Sequence, residues 1–462
     1  MSEPITYKEL KISTFEVQYI KELKITADIN KHTELTLVAV LPEDREDKDI
    51  STECNTPIKV YISKDDNEQD LYYGIITEIK VKKNADYYEL HVKAKSYTYL
   101  MDIIKKKRSF QNKDMDIEDL IKVITEVYKF GVCILNTPYK LTNRSWLQYN
   151  ETDFKFVIRI ASHYNVGIFP SCSTEGVHYY FGTPELDPKN LEAYEYTVTK
   201  LIEDYNKIKE NDLPDSNEDL YINYTVKSYD ILELGDCVNF KGHFFYVSKL
   251  TYEIRKGVLI NTYNIQPHEA QNRCRINGDN FQGISLEGTV TEVSGDQIKA
   301  KLDIDRNNQH SGYRWFKYST VAASSDGSGW YFMPEINDRV RIYFPTADEE
   351  DAFAISCIHN INADPATKYI TTVHGNKIVF TDSGITISSG GNSTITLGKN
   401  GGISISGGSI SVNASDSISI SAGDSVVVSG RDNVEISCDK GGKVTLDAGG
   451  NVLVDGTKVN IN

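Results

Sequence analysis

Pairs of apolar residues two positions apart, mostly split by a polar residue, recur along the last fifth of the chain, roughly every eight residues from Gly375 to Asn462. They are Ile378/Phe380, Ile385/Ile387, Ile395/Leu397, Ile403/Ile405, Ile410/Val412, Ile418/Ile420, Val426/Val428, Val434/Ile436, Val444/Leu446, Val452/Val454 and Val459/Ile461. Each pair reads as a short strand with one apolar face. Gly, Asn, Asp or Ser stands at each corner, as in Asp382-Ser383-Gly384 and Gly441-Gly442. Such residues supply the left-handed or self-bonded turns that so short a unit needs. A fixed short period of this kind is the signature of a β-solenoid. Eight residues give only a strand and a corner, too little for one chain to enclose a core. Three chains wound together would close a triangular prism and leave no lateral sheet edge. The expected element is therefore a homotrimeric β-helical needle, with a dry core of Ile403, Ile405, Ile410, Val412, Ile418, Ile420, Val426, Val428, Val434, Ile436, Val444, Leu446, Val452 and Val454. At about 4.7 Å per unit its length is on the order of 50 Å. A Ser/Gly linker would not hold Ile and Val in register over so many units.

Upstream the period changes. Residues 284–362 read as consecutive short antiparallel strands, starting at Thr289-Val290 to Val293. Ile298, Ala300, Leu302 and Ile304 then alternate, with Gly295-Asp296 as the hairpin turn. Tyr313 to Tyr318, Trp330 to Met333, Val340 to Phe344 and Ala352 to Ile358 supply the rest. This pattern predicts a small five-stranded barrel of the OB type. Residues 1–272 mix α and β. Strands are expected over Glu9–Gln18, Leu35–Leu41, Ile58–Ser63, Tyr72–Val81, Tyr87–Lys95 and in the stretch Tyr221–Gln266. A helix is expected from Ile117 to Lys129, capped by Asp116 and ended by Gly131, with Ile117, Leu120, Ile121, Ile124 and Val127 as one stripe. A second follows Thr152, with Phe154, Val157, Ile158, Ala161 and Tyr164 inward and Gly167 as its stop. The predicted fold class is thus mainly β: an α+β N-terminal region, an OB-fold, a short neck over 363–374, and a trimeric β-helix over 375–462.

Composition sharpens these boundaries. The 462 residues suggest about three domains at roughly 150 residues each. Of the 31 glycines, 16 lie from residue 375 onward, whereas all 29 tyrosines lie before it. The architecture therefore changes there. The net charge of −16 argues against nucleic acid and against an anionic membrane surface as partners. The barrel, with 7 Lys and Arg against 12 Asp and Glu, follows suit and reads as structural. Seven cysteines with no CxxC pair exclude a zinc ribbon or a disulfide scaffold and fit a reducing compartment. The N-terminus shows neither a basic run nor an apolar core of a secretory signal, and no stretch nears the roughly 20 apolar residues that span a bilayer. Cytoplasmic assembly is the expectation.

Three stretches carry a resemblance to a known family. The run Gly327-Ser328-Gly329-Trp330-Tyr331-Phe332-Met333-Pro334-Glu335-Ile336-Asn337-Asp338-Arg339-Val340-Arg341-Ile342-Tyr343-Phe344 resembles the OB domain of the VgrG and contractile-phage central-spike family. Asn337 stands where that family usually has Gly, and Arg339 where it usually has an acid; Asn tolerates the left-handed turn best after Gly. The N-terminal region resembles the tail-protein D hub, above all at Gln148-Tyr149-Asn150-Glu151-Thr152-Asp153-Phe154-Lys155-Phe156-Val157-Ile158-Arg159-Ile160. It does so too at Tyr73-Gly74-Ile75-Ile76-Thr77, Ser96-Tyr97, Arg108-Ser109-Phe110, Leu234-Gly235-Asp236-Cys237-Val238-Asn239-Phe240 and Phe245-Tyr246-Val247. The family order of hub, OB-fold and needle is kept over nearly the whole chain. The resemblance implies two barrel-like hub subdomains per chain, and a trimeric ring that adapts a six-fold tube to a three-fold needle. It further implies partners: Hcp-like tube and baseplate proteins at the hub, a PAAR-like tip protein, and effector cargo as an optional passenger. The tip protein would dock on Val459, Asn460, Ile461 and Asn462. The target membrane would be touched mechanically, and the particle ejected into or through an envelope.

Candidate chemistry is sparse. The nine histidines form no HExxH and no HxH, and no cofactor motif appears. Cys357 and His359 share a strand face, but no second ligand pair is near, so a packed Cys and a satisfied His are expected rather than a metal site. Gly398-Lys399 is no P-loop, because Ser393 stands where its first Gly would be and Asn400 replaces the Ser/Thr. The run Asp348-Glu349-Glu350-Asp351 is expected to be a solvated loop rather than a cation site. Only Ala363 to His374 separates barrel and needle, which leaves no room for an inserted enzyme. The expected role is non-enzymatic. Two rival readings fit the sequence less well. A glycan-cleaving tail spike needs paired acids along a groove, whereas the acids here, such as Asp416 and Asp424, mostly mark corners. A host-binding adhesin is poorly served by a tail whose one aromatic is Phe380.

Overall fold

The computed structural model describes residues 3–42, 53–65, 67–84, 87–305, 312–358, 364–390 and 392–460. The chain divides into two compact units, residues 1–360 and 361–462.

The first unit is organised by one twelve-stranded sheet. Strands Leu10–Ile12, Pro57–Lys64, Asn67–Lys83, Tyr88–Ser96, Glu34–Leu41 and Tyr19–Asp28 form its first half, in that spatial order. His243–Arg255, Val258–Gln266, Ile222–Ser228 and Glu195–Lys200 continue it. The halves join antiparallel, with Leu250 opposite Ala27. The inward rows, among them Ile25, Leu37, Val60, Val92, Val226, Val247 and Ile265, make one shared core.

Most of the expected strands are present. The first was misplaced: Leu10–Ile12 is only three residues long, and the long strand is Tyr19–Asp28. A bulge between Ile20 and Glu22 shifts its register, so Ile20 and Leu23 both point inward although they are three apart. A bulge of this kind breaks the period-2 signal in sequence. The helix Ile202–Asn211 has no counterpart among the expected elements. It buries only Tyr205 and Ile208, and its mostly polar sequence gives almost no stripe.

Residues 97–182 build a lobe with its own core around Phe110, Ile121, Phe156, Ile160 and Phe181. The helix Ile117–Thr125 begins as expected, with Asp116 accepting from Glu118 N at 2.9 Å. It stops a turn before Lys129 and leaves Val127 exposed. The chain folds back there so tightly that a Cβ at Gly131 would stand 2.2 Å from the Thr125 carbonyl oxygen. The second helix, Asp153–Ser162, follows Thr152, whose side chain accepts from Lys155 N.

The barrel strands run Trp315–Lys317, Gln297–Leu302, Ser285–Ser294, Arg339–Tyr343, Phe353–Cys357 in spatial order. A parallel bridge from Tyr318 to Ala354 joins the ends of the first and last of them. Val290, Ile298, Ala300, Phe316, Val340, Ile342 and Ala354 fill the interior. Asn337 adopts φ +77°, the left-handed turn that the sequence called for. One expected strand is absent: Trp330 to Met333 joins no sheet, because residues 320–331 fold into a separate small hairpin.

The second unit holds two antiparallel meanders. Lys368–Thr371, Lys377–Thr381, Gly384–Ser389, Ser393–Gly398 and Ile403–Ser406 form one, and Asn433–Ser437, Lys443–Asp447 and Val452–Asp455 the other. Gly384 has φ +138°, and a Cβ there would meet the Leu397 carbonyl oxygen at 1.9 Å, so this corner admits glycine alone. Residues 407–432 carry no strand, so the pairs Ile410/Val412, Ile418/Ile420 and Val426/Val428 make no ladder in the single chain.

Candidate functional site

Two arrangements stand out: a buried clamp between the N-terminal lobe and the barrel, and an uncovered apolar face on the second unit.

The clamp grows from the strand Trp146–Thr152 and the helix Asp153–Ser162. The strand sends Leu147 into the barrel core. On the second turn of the helix, Arg159 lies on the buried side at 2% exposure. Its guanidinium donates to Glu349 Oε1 at 2.6 Å, to Glu151 Oε2 at 2.9 Å and to the Leu147 carbonyl oxygen at 2.8 Å. Glu349, also 2% exposed, accepts as well from Leu147 N at 3.2 Å and from Arg144 Nη2 at 3.0 Å. Glu350 accepts from the Ser145 N–H at 2.8 Å, the Ser145 hydroxyl at 2.9 Å and Arg314 Nη1 at 3.0 Å, and it pairs with Lys113. Arg144 also reaches Asp348 at 2.6 Å. The acidic run Asp348–Asp351 is therefore no solvated loop, contrary to the expectation. Arg144 and Arg159 arrive from far away in the chain to hold Asp348 and Glu349, and with Glu350 on Arg314 and Lys113 three of the four carboxylates become a bolt.

The electrostatics follow from burial. Desolvation alone would push the Arg159 guanidinium down, but Glu349 and Glu151 reverse this and hold it above its ordinary value. Burial likewise pushes the Glu350 carboxyl up, but Lys113, Ser145 and Arg314 outweigh it and hold it at about 2. His163 is pushed down to about 3, first by burial and then by the Arg144 charge. Arg144 Nη1 lies 2.7 Å from its Nδ1, which must accept, so Nε2 carries the proton and donates to the Ile276 carbonyl oxygen at 3.1 Å. Taking one partner from such a buried network leaves an uncompensated charge, at a cost of roughly 3–5 kcal/mol.

A second tie fixes the lobe internally. Asp153 is fully buried and accepts from Lys106 at 2.6 Å, Arg108 at 2.9 Å, Tyr128 at 2.7 Å and Gln148 at 2.9 Å. Next to Arg108, Ser109 donates through both N–H and hydroxyl to Asp305 of the barrel, each at 2.6 Å. The quoted stretches Gln148–Ile160 and Arg108–Phe110 thus hold lobe and barrel together.

On the second unit the strand register lines apolar residues into rows. Ile370, Ile378, Ile387, Ile395 and Ile405 pair across the five strands of the first meander. Val434, Leu446 and Val452 form one row of the other, and Ile436, Val444 and Val454 a second. A groove of about 640 Å³ runs over the first of these faces. The residues expected to form the needle core are not enclosed within one chain: Ile405 is 59% exposed, Val428 71% and Val452 64%. Of the expected docking face, Val459 is exposed, Asn460 is described, and Ile461 and Asn462 lie outside the described residues. Cys357 is exposed, with Tyr318 Oη 3.4 Å from its Sγ, and His359 lies outside the described residues. Among the described residues no group of three or more His, Cys, Asp and Glu is placed to hold a metal ion. No helix among them is long and apolar enough to cross a membrane.

Residues 27–179 match the family model of the phage tail baseplate hub. Residues 286–359 match that of the type VI secretion system/phage-baseplate injector OB domain. The chain thus joins a stretch similar to the baseplate hub to one similar to the injector OB domain. Its hub and barrel lie in the order of the VgrG and phage-spike family, as the sequence stretches implied. No curated protein sequence matches the chain. Among solved structures, the E. coli c3393 protein shares the fold at TM-score 0.53 and 15% identity, over 76% of this chain and 99% of that one. It is described as a component of the type VI secretion system similar to the T4 bacteriophage tail proteins gp27 and gp5. A chain of the Francisella PdpA–VgrG complex shares it at TM-score 0.55 and 10% identity, over 86% of this chain and 79% of that one. At these identities the likeness is one of fold. The hub match contains Arg144 and Arg159, and the OB match contains Asp348, Glu349 and Glu350, so the clamp joins the two matched stretches.

Proposed function

We propose that this chain is the central spike of a contractile injection machine, acting mechanically and not as an enzyme. Three copies would wind residues 375–462 into one needle, with hub and OB barrel as its base. The observation that carries this reading is a contrast within one chain. The hub and OB modules bury their own cores, whereas the repeat that follows them presents rows of isoleucine and valine to solvent. Exposed apolar rows of this length call for a cover, and a short repeat is best covered by copies of itself. The buried clamp suits the role, because thrust delivered to the hub must pass into the barrel without bending the joint.

In this reading the hub faces an Hcp-like tube and baseplate proteins, and the needle end at Val459–Asn462 takes a PAAR-like tip protein. The chain assembles in the cytoplasm and is ejected with its particle, with or without effector cargo. No cofactor is called for. Light scattering after size exclusion tests the central claim: the purified chain should show three times its 52.1 kDa at micromolar concentration. A monomer under those conditions would overturn the reading.

A further inference from the structure

The hairpin at residues 320–331, which departs from the barrel sheet, is held firmly. Trp330 N donates to the Ala322 carbonyl oxygen at 2.8 Å, and the Thr320 hydroxyl to that of Trp330 at 2.6 Å. Asp326 closes the tip by accepting from Ser328 N–H at 2.9 Å and from its hydroxyl at 2.7 Å. The Tyr331 hydroxyl pins the base to the Gly295 carbonyl oxygen at 2.9 Å. What this scaffold displays is apolar. Val321 is 92% exposed, Tyr331 72%, Phe332 51% and Trp330 50%, and the rings of Trp330 and Phe332 lie 5.8 Å apart. Large aromatic residues grouped outward on a rigid support are the commonest anchors of protein interfaces.

The same barrel carries a groove of about 620 Å³ with Trp315, Lys317, Tyr318 and Phe353 among its lining residues. That volume suits ring side chains. The exposed Lys317 of the groove and the exposed Glu335 beside the knob have no ion-pair partner among the described residues.

We propose that the Trp330/Phe332 knob of one chain seats in the Trp315/Phe353 groove of the next copy in the spike, with Glu335 of the first chain facing Lys317 of the second. The proposal rests on the trimeric reading above. A second copy is the occupant for two reasons. A knob and a different groove on one molecule make a head-to-tail contact, which forms a closed ring where each step rotates by a third of a turn, as in a three-fold spike, and an open filament otherwise. The opposite charges left unpaired at the two sites also match in sign. A foreign partner would need only one of the two features.

The test uses the full chain with Phe332→p-benzoylphenylalanine, mixed with ¹⁵N-labelled copies so that links between chains are distinguished from links within one. After illumination, links from residue 332 should fall on residues 313–318 or 350–353 of another copy. Lys317→Glu should lower their yield about tenfold, and adding Glu335→Lys in the same chain should restore it. The barrel fold is checked by circular dichroism in each variant. If the preparation weighs three chains but links fall within one chain, on a different protein, or nowhere, the knob-and-groove contact is wrong and the spike reading stands. If the unsubstituted chain is a monomer, both are wrong.

Discussion

The two units solve the problem of apolar surface in opposite ways. In residues 1–360, alternating strands fold over one another until Ile25, Leu37, Val247 and Ile298 are at most 1% exposed. In residues 361–462, the alternation is as regular, yet Ile403 remains 71% exposed and Ile420 75%. Regular patterning therefore does not by itself show that a chain can complete its own core. The hub and barrel vary strand length, bulges and helices, and so can close. The repeat has one short unit and can only extend, which leaves its apolar face uncovered in the single chain.

The largest expected effect breaks this comparison at its weaker side. Ile395 sits in the middle of the isoleucine row and is 40% exposed in one chain. If the face stays exposed, Ile395→Asp costs under about 0.5 kcal/mol, as surface changes usually do. If three copies cover it, three carboxylates enter an apolar core, and each unpaired charge costs several kcal/mol. The expected outcome is that the variant's mass by light scattering falls to one chain while its hub and barrel keep their near-ultraviolet circular dichroism.

The next effect lies in the self-sufficient unit. Glu349→Ala leaves Arg159 and Arg144 without their shared partner and should destabilise residues 1–360 by about 3–5 kcal/mol in urea unfolding. The needle's assembly should be unchanged. A loss below about 1 kcal/mol would mean that Glu151 alone suffices for Arg159, and that the barrel is not bolted through this pair.

A smaller effect is expected from pH. His163 has a folded pKa pushed down to about 3 from an ordinary 6.5. The unfolded chain therefore takes up the proton first, and the stability that this group contributes is full above pH 6.5 and lost as pH falls toward 3. Glu350, held at about 2, adds a further loss between its ordinary value of 4.5 and 2. His32, pushed down to about 4 chiefly by its burial, works in the same direction as His163. The urea midpoint should thus be flat from pH 8 to 6.5 and fall below it, with a shallower fall in His163→Gln.

What was legible in the sequence divides along the same line. The order of mixed α/β region, barrel and repeat could be read, because each has its own period and composition, while the hub was legible only through its family resemblance. The helix at Ile117 could be read from its stripe and its Asp116 cap. The clamp could not. Arg159 and Glu349 are 190 residues apart, and a run of four acids ordinarily means solvent. A signal was present: Arg159 falls between Phe156 and Ile160 on the helix side that must be buried, which calls for a carboxylate from elsewhere. The strand Tyr19–Asp28 was hidden by its bulge, and the Trp330 segment was misread as a strand because aromatic residues favour strands and interfaces alike.

The smallest effect refines the barrel side of the comparison and checks the one departure from the family pattern that bears on backbone geometry. Asn337 holds φ +77° in the turn that leads into Arg339–Tyr343. Glycine adopts that conformation without a Cβ penalty but loses more entropy on folding, and Asn is the next most tolerant residue. Asn337→Gly should therefore shift stability by less than about 1 kcal/mol in either direction. Asn337→Val places a β-branched residue in the left-handed region and should cost about 1–3 kcal/mol. Because the turn feeds Val340 and Ile342 into the barrel core, the loss should appear in the unfolding of residues 1–360 and leave the mass of the assembly unchanged. Equal effects of Gly and Val would show that the turn relaxes out of the left-handed region, and that the barrel does not depend on it for the register of its fourth strand.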